Sequence, residues 1–380
     1  MLRKRPEVRS GSVPDFWRSA VGSSISRRAV LGTAGAATVA GGIGLVAGPM
    51  AWADSDGRRP VMRIDTHHHG LPEDLRRWAV GRGLLPADPE AGPEWADWTV
   101  VDALRLMDKN HIGTAVLSAP VPSIAFANRA LAEEGVRVCN ESYARVVAEH
   151  PTRFGFFANV APLHPDLAME QVRYAFDTLG ADGVILMTSA GGKYVGDPAF
   201  EPLFAELNRR RAVVFIHPDA LPDTNFVLPG VPNSLADFLF DSTRAALNLI
   251  VSGTLDRHPD LSIILSHAGG FLPYLAGRAE SQGRQGEFVD PARFHRALRR
   301  FHYDTAQPAS PYSMPTLLKA VGSDQILYGT DYASRPYGEV GVITDDLDRD
   351  PALNRAAWSA INRGNALRLF PRLAARIGPV

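Results

Sequence analysis

The stretch Met62-Arg63-Ile64-Asp65-Thr66-His67-His68-His69 decides the reading of this 380-residue chain. It reads as a strand that ends in imidazoles. Alternate residues of a strand share one side, so His67 and His69 can converge on a single metal ion while His68 points elsewhere. Three further apolar, strand-like segments end in a metal-competent or acid–base side chain: Ala212-Val213-Val214-Phe215-Ile216-His217, Ser262-Ile263-Ile264-Leu265-Ser266-His267 and Ile326-Leu327-Tyr328-Gly329-Thr330-Asp331. A lone histidine in an apolar run is ordinarily a satisfied core or surface residue, and it is the recurrence at four strand ends that turns these into a candidate site. His111, His150, His164, His258 and His295 lack that context and read as solvated or helix-capping residues. His68 and His302 are intermediate and stay outside the ligand set.

Outward from these segments, runs rich in Val, Ile and Phe alternate with longer amphipathic patterns, as βα units of a parallel sheet do. Strands are predicted near 62–67, 114–119, 154–160, 183–188, 213–217, 262–267, 301–305 and 325–330, with helices at 125–150, 167–179, 200–210 and 242–258. Eight strands predict an α/β fold of the (β/α)8 barrel type, in which catalytic groups from several strands meet at the C-terminal rim. The rival doubly wound sheet lacks its Gly-x-Gly-x-x-Gly turn. Two long segments interrupt the rhythm, 70–98 and 218–235, the second with prolines at 218, 222, 229 and 232. Loops of that length serve as lids or substrate walls, although the first reads equally well as surface decoration.

The first 53 residues read as a twin-arginine export signal, with residues 54–380 forming the barrel. Ser26-Arg27-Arg28-Ala29-Val30-Leu31 precedes a Gly/Ala-rich apolar stretch over 32–49 and an Ala51-Trp52-Ala53 cleavage site. An uncleaved membrane anchor and a soluble N-terminal helix are the alternatives. Export implies an extracellular or periplasmic destination and makes the twin-arginine machinery a partner of the precursor. The signal carries seven Lys/Arg against two Asp/Glu, so its removal takes the whole-chain charge of −1 to about −6. That acidic balance predicts no nucleic-acid partner. The single Cys139 excludes an intramolecular disulfide framework, so stability must come from a large core.

The chain resembles the metal-dependent amidohydrolase superfamily, and within it the branch of aminocarboxymuconate-semialdehyde decarboxylase. The resemblance covers essentially residues 60–375. It is carried by Asp65-Thr66-His67-His68-His69, Phe215-Ile216-His217-Pro218, Leu265-Ser266-His267-Ala268-Gly269-Gly270-Phe271-Leu272-Pro273 and Tyr328-Gly329-Thr330-Asp331-Tyr332. Two softer matches, Gly180-Ala181-Asp182-Gly183-Val184 and Phe240-Asp241-Ser242-Thr243-Arg244-Ala245, look most like the 6-methylsalicylate decarboxylase group.

The resemblance implies that His67, His69, His217 and Asp331 bind one divalent metal ion, with His267 beside it as an acid–base or substrate-orienting residue. Zinc is favoured by three imidazoles and a carboxylate, and manganese is the alternative because oxygen ligands suit it. The bridging lysine of two-metal relatives is not matched: the fourth predicted strand ends Leu186-Met187-Thr188-Ser189, and Lys193 follows only after two glycines. The implied activity is non-oxidative decarboxylation of a small aromatic or unsaturated carboxylic acid. Asp331 is the candidate proton donor, Phe271 a candidate wall for an aromatic ring, and Arg335 a candidate carboxylate clamp that reads equally well as a solvated loop charge. The same ligands also suit a mononuclear hydrolase of a C–C, lactone, ester or amide bond, and a third reading is a barrel that binds a ligand without turnover. The homodimeric state is left open.

Overall fold

Eight apolar runs pair as parallel strands in the computed structural model, which describes residues 62–88, 91–92, 94–121, 126–219, 230–306 and 311–378. They are β1 (Arg63–His69), β2 (Ile112–Ser118), β3 (Phe154–Asn159), β4 (Gly183–Met187), β5 (Val213–His217), β6 (Ser262–Leu265), β7 (Phe301–Asp304) and β8 (Ile326–Leu327). Each strand pairs with the next in sequence. The barrel closes between its ends: Thr66 N–H donates to the Tyr328 carbonyl at 2.9 Å, Asp331 N–H donates to the His67 carbonyl at 2.8 Å, and His68 bridges in parallel to Tyr332. The (β/α)8 expectation therefore holds. A two-residue hairpin, Ser189–Ala190 with Lys193–Tyr194, follows β4.

Large apolar side chains fill the barrel interior, with Ile64, Val116, Phe157, Ile185, Phe215, Ile264 and Leu327 forming one buried cluster. Ala366 and Leu373 join that cluster from the two C-terminal helices, Asn365–Leu369 and Pro371–Ile377, and Phe370 joins it from the junction between them. These helices cap the N-terminal ends of the strands. Arg63, at the start of β1, donates to Asn362 Oδ1 at 2.8 Å, and Arg376 donates to Asp182, just ahead of β4, at 2.8 Å. The C-terminal ends of the strands are thereby left to carry the polar residues.

Several predicted boundaries differ from those observed. The predicted 242–258 helix is two helices, Asp237–Val251 and Thr254–Arg257, broken where Gly253 takes a φ of 76°. The segment 70–98 is not a plain loop: it holds the helix Glu73–Gly81 and a 3₁₀ turn, Glu94–Asp97. Trp78 of that helix packs so closely on Gly135 that a Cβ there would sit 2.6 Å from the indole. The helix Val100–Lys109, capped by Thr99, was not anticipated. Residues 220–229 of the proline-rich segment and the proposed export signal both lie outside the described residues. Among the described residues no helix is long and apolar enough to cross a membrane.

Candidate metal centre

Strand parity alone does not bring the histidines together. Ile64 and His67 both face the interior, which strict alternation forbids, and the register shift of β1 between Asp65 and His68 resolves the conflict. Buried Asp65 holds this irregular turn: its carboxylate accepts from His67 N–H at 3.1 Å, Thr330 N–H at 3.0 Å and Thr330 Oγ1 at 2.6 Å. His267 and Asp331 stand past the ends of β6 and β8, on left-handed backbone with φ of 52° and 60°. The predicted strands 262–267 and 325–330 therefore end early, at Leu265 and Leu327. Gly329 is required by close approach, since a Cβ there would lie 2.9 Å from that of His67 and 3.1 Å from that of Asp304.

The result is a buried group at the C-terminal rim. Ligand atoms of His67, His217, His267 and Asp331 all lie within 4.8 Å of one another. His69 joins them, its Nε2 at 3.1 Å from both His67 Nε2 and Asp331 Oδ1. His267 Nε2 stands 3.4 Å from Asp331 Oδ2. His68 turns away as alternation predicts, with Nδ1 3.1 Å from Asp65 and its ring against Tyr332.

The ring nitrogens fit a cation. His67 Nδ1 pairs with Asp304 Oδ2 at 2.8 Å and His217 Nδ1 with the Pro218 carbonyl at 2.9 Å, so in each neutral imidazole that nitrogen carries the proton and the Nε2 lone pair is left to face the group. His69 Nδ1 meets Ser118 Oγ at 2.9 Å in the same manner. His217 Nε2 is buried with no hydrogen-bond partner among the described residues, as an atom suited to a ligand would be. Burial holds His217 well below its ordinary range, and the surrounding imidazoles add to the effect. Burial likewise lowers His69. Burial also works against charge on His67, but Asp304 and Asp331 together outweigh it and push that imidazole up to about 10. Asp331 lies well below the usual carboxylate range; burial alone would raise it, and His67, His267 and His69 outweigh burial.

Two residues went unnoticed in the sequence. Asp304 supports both sides of the group, accepting from His267 N–H at 2.8 Å as well as from His67. It ends β7 as the other site residues end theirs, so the strand-end signal was available. Ser118, at the end of β2, offered no such signal. The other candidates are more peripheral. Phe271 packs its ring on Phe240, with centroids 4.7 Å apart. Arg335 is half-buried, and its Nε has no hydrogen-bond partner among the described residues. Lys193 is largely exposed and pairs with Asp197 at 3.8 Å, away from any bridging position. His302 lies toward the opposite end of the barrel, in a depression with Asn365 and Arg368, where burial and Arg368 lower it to about 4. His258 and His295 pair with Glu201 and Glu280 at 2.8 and 2.7 Å, as residues outside the site should.

The amidohydrolase family profile matches residues 64–372, most of the chain. The chain belongs to the amidohydrolase family. Among its family relatives, a 6-methylsalicylic acid decarboxylase of Aspergillus aculeatus is 35% identical over 82% of this chain and 97% of its own length. Decarboxylase yanB of Aspergillus niger is 37% identical over 82% of this chain and 88% of its own. Among solved structures, a 2,6-dihydroxybenzoate decarboxylase complexed with 2,6-dihydroxybenzoate superimposes with a TM-score of 0.70 at 26% identity, covering 81% of this chain and 99% of that one.

Proposed function

We propose that this protein is a metal-dependent carboxy-lyase that removes carbon dioxide, without redox chemistry, from an ortho-hydroxy aromatic acid of the 6-methylsalicylate type. The observation that carries the reading is the buried convergence of His67, His69, His217, His267 and Asp331 at the rim of an amidohydrolase barrel whose relatives are named decarboxylases. His67, His69, His217 and Asp331 would hold one divalent ion, zinc by preference for three imidazoles and a carboxylate, manganese as the alternative. When bound, such an ion supplies positive charge that orients and polarises the substrate's carboxylate and phenolic oxygens.

The chain's own residues then manage one proton. His267 and Asp331, 3.4 Å apart, together deliver it to the ring carbon bearing the carboxylate. Ring π electrons form the new C–H bond. The bond to the carboxylate then breaks, its electron pair restores aromaticity, carbon dioxide leaves, and a solvent proton recharges the pair. Burial of the whole group keeps bulk water from competing. Arg335 Nε, without a hydrogen-bond partner among the described residues, supports a contact to the substrate carboxylate, and Phe271 remains the proposed ring wall.

Metal content and a substrate panel test this together. Protein purified without chelator should hold about one ion per chain, given four ligands and no bridging lysine, and should release carbon dioxide from salicylate- and orcinol-type acids. Hydrolysis of esters, lactones or amides without carbon dioxide release would replace the reading with a hydrolase. Two ions per chain, both required, would overturn the single-metal assignment. The precursor's export is proposed on Arg27 and Arg28. Replacing both by Lys should strand it inside the cell, and undiminished export of that variant would refute the route.

A further inference from the structure

Beside His69 lies an apolar cavity of about 80 Å³ that the proton chemistry does not use. Leu75, Ala79, Leu84 and Trp95, all from the 70–98 segment, line it together with His69 and Ser118. The segment is built around this space rather than merely draped on the barrel. Its helix Glu73–Gly81 turns Leu75 and Ala79 inward while Arg77 stays exposed and pairs with Glu73 and Asp74. An apolar cavity of this kind offers water no partners and favours hydrocarbon. A cavity of roughly 150 Å³ accepts benzene, so this one has room for a short alkyl group and not for a second ring. The imidazole of His69, a proposed ligand, is part of its lining, so the cavity is within reach of a substituent on a substrate held at the centre.

We infer that this cavity is a specificity site for an alkyl substituent on the aromatic acid, larger than methyl and of about two or three carbons. The inference rests on the carboxy-lyase reading for the acid and on the cavity alone for the substituent. Each methylene moved from water into such a site should improve recognition about three- to fourfold. Ala79 and Leu84 shape the cavity and touch none of the proton-handling groups.

The test uses the metal-loaded chain and salicylates bearing hydrogen, methyl, ethyl, propyl or pentyl at the 6-position, beside the carboxylate. Both kcat/KM for carbon dioxide release and Kd by calorimetry are measured. Both should improve about three- to fourfold per carbon up to ethyl or propyl and worsen at pentyl. Ala79→Leu, which fills the cavity, should flatten the series while leaving turnover of unsubstituted salicylate unchanged. Leu84→Ala, which enlarges it, should move the optimum to a longer chain, and it carries the test if Ala79→Leu does not fold. A flat series in the wild type, or a series that neither variant alters, overturns the inference. If no member releases carbon dioxide but Kd still tightens with chain length and the variants shift it, the carboxy-lyase reading fails and the alkyl site stands.

Discussion

His67 is flanked by a carboxylate on each ring nitrogen, Asp304 at 2.8 Å from Nδ1 and Asp331 at 3.3 Å from Nε2. The two acids have different work. Asp304 fixes the tautomer and ring orientation, as a carboxylate behind a ligating histidine does, while Asp331 faces the same space as the imidazoles. Among the described residues His217 Nδ1 meets a carbonyl rather than an acid and its Nε2 has no hydrogen-bond partner, which suits it to donate a lone pair. Replacing His217 by Ala should therefore abolish tight metal binding, whereas His267→Ala should retain the ion and lose turnover by roughly 10²- to 10⁴-fold, as expected for a positioned acid–base group. Metal analysis and rates on both variants separate the roles. A metal-free His267→Ala would move His267 into the ligand set, an outcome made concrete by its place in the group spanning 4.8 Å. At this scale the histidines were legible because each ends an apolar run. Asp304 ends an apolar run as they do, but its role was not legible, because its His67 partner lies on β1 and only barrel closure brings the two within reach.

At the scale of elements, the strands read well and their last residues read poorly. Val- and Ile-rich runs declare a buried parallel strand, but the departures that aim the site side chains are local backbone events: a bulge after Asp65, and left-handed turns at His267 and Asp331. Period-two reasoning carries no term for such shifts. The long 70–98 segment misled for a related reason. Its glycines and prolines resemble a loop, yet its helix is made by Leu75, Trp78 and Ala79 packing inward, which is tertiary burial and not local propensity. The C-terminal helices were not assigned a purpose from sequence, and they close the barrel at the end away from the centre. Phe370 is fully buried there, 5.8 Å from Phe157. Phe370→Ala should cost about 3–5 kcal/mol of stability, seen as a shifted denaturant midpoint, while metal content and rate in the folded fraction stay near wild type. Loss of metal without loss of stability would show that the cap and the centre are coupled in a way the packing does not suggest.

For the whole molecule, the centre ties stability, metal and pH together. His67 in the metal-free fold sits up at about 10, above the 6.5 of an unfolded imidazole, so the folded state holds a proton that the unfolded state lacks between those values. Its contribution is complete below about 6.5 and is lost as pH rises through about 10. Asp331 has the opposite sign: held low, it contributes above the ordinary carboxylate range, and that contribution is lost on acidification. A bound ion would take the place of the His67 proton, while His69 and His217, both held low, are already neutral and have none to give. Metal uptake at pH 8 should therefore release about one proton per chain, measurable from calorimetric heats in buffers of different ionisation enthalpy. The metal-stripped protein should also lose Tm between pH 7 and pH 10 more steeply than the loaded protein, in which that proton is no longer part of the balance. Proton release near zero, with parallel Tm profiles for the two forms, would mean that His67 is neutral before the metal arrives and that Asp304 serves only to orient it.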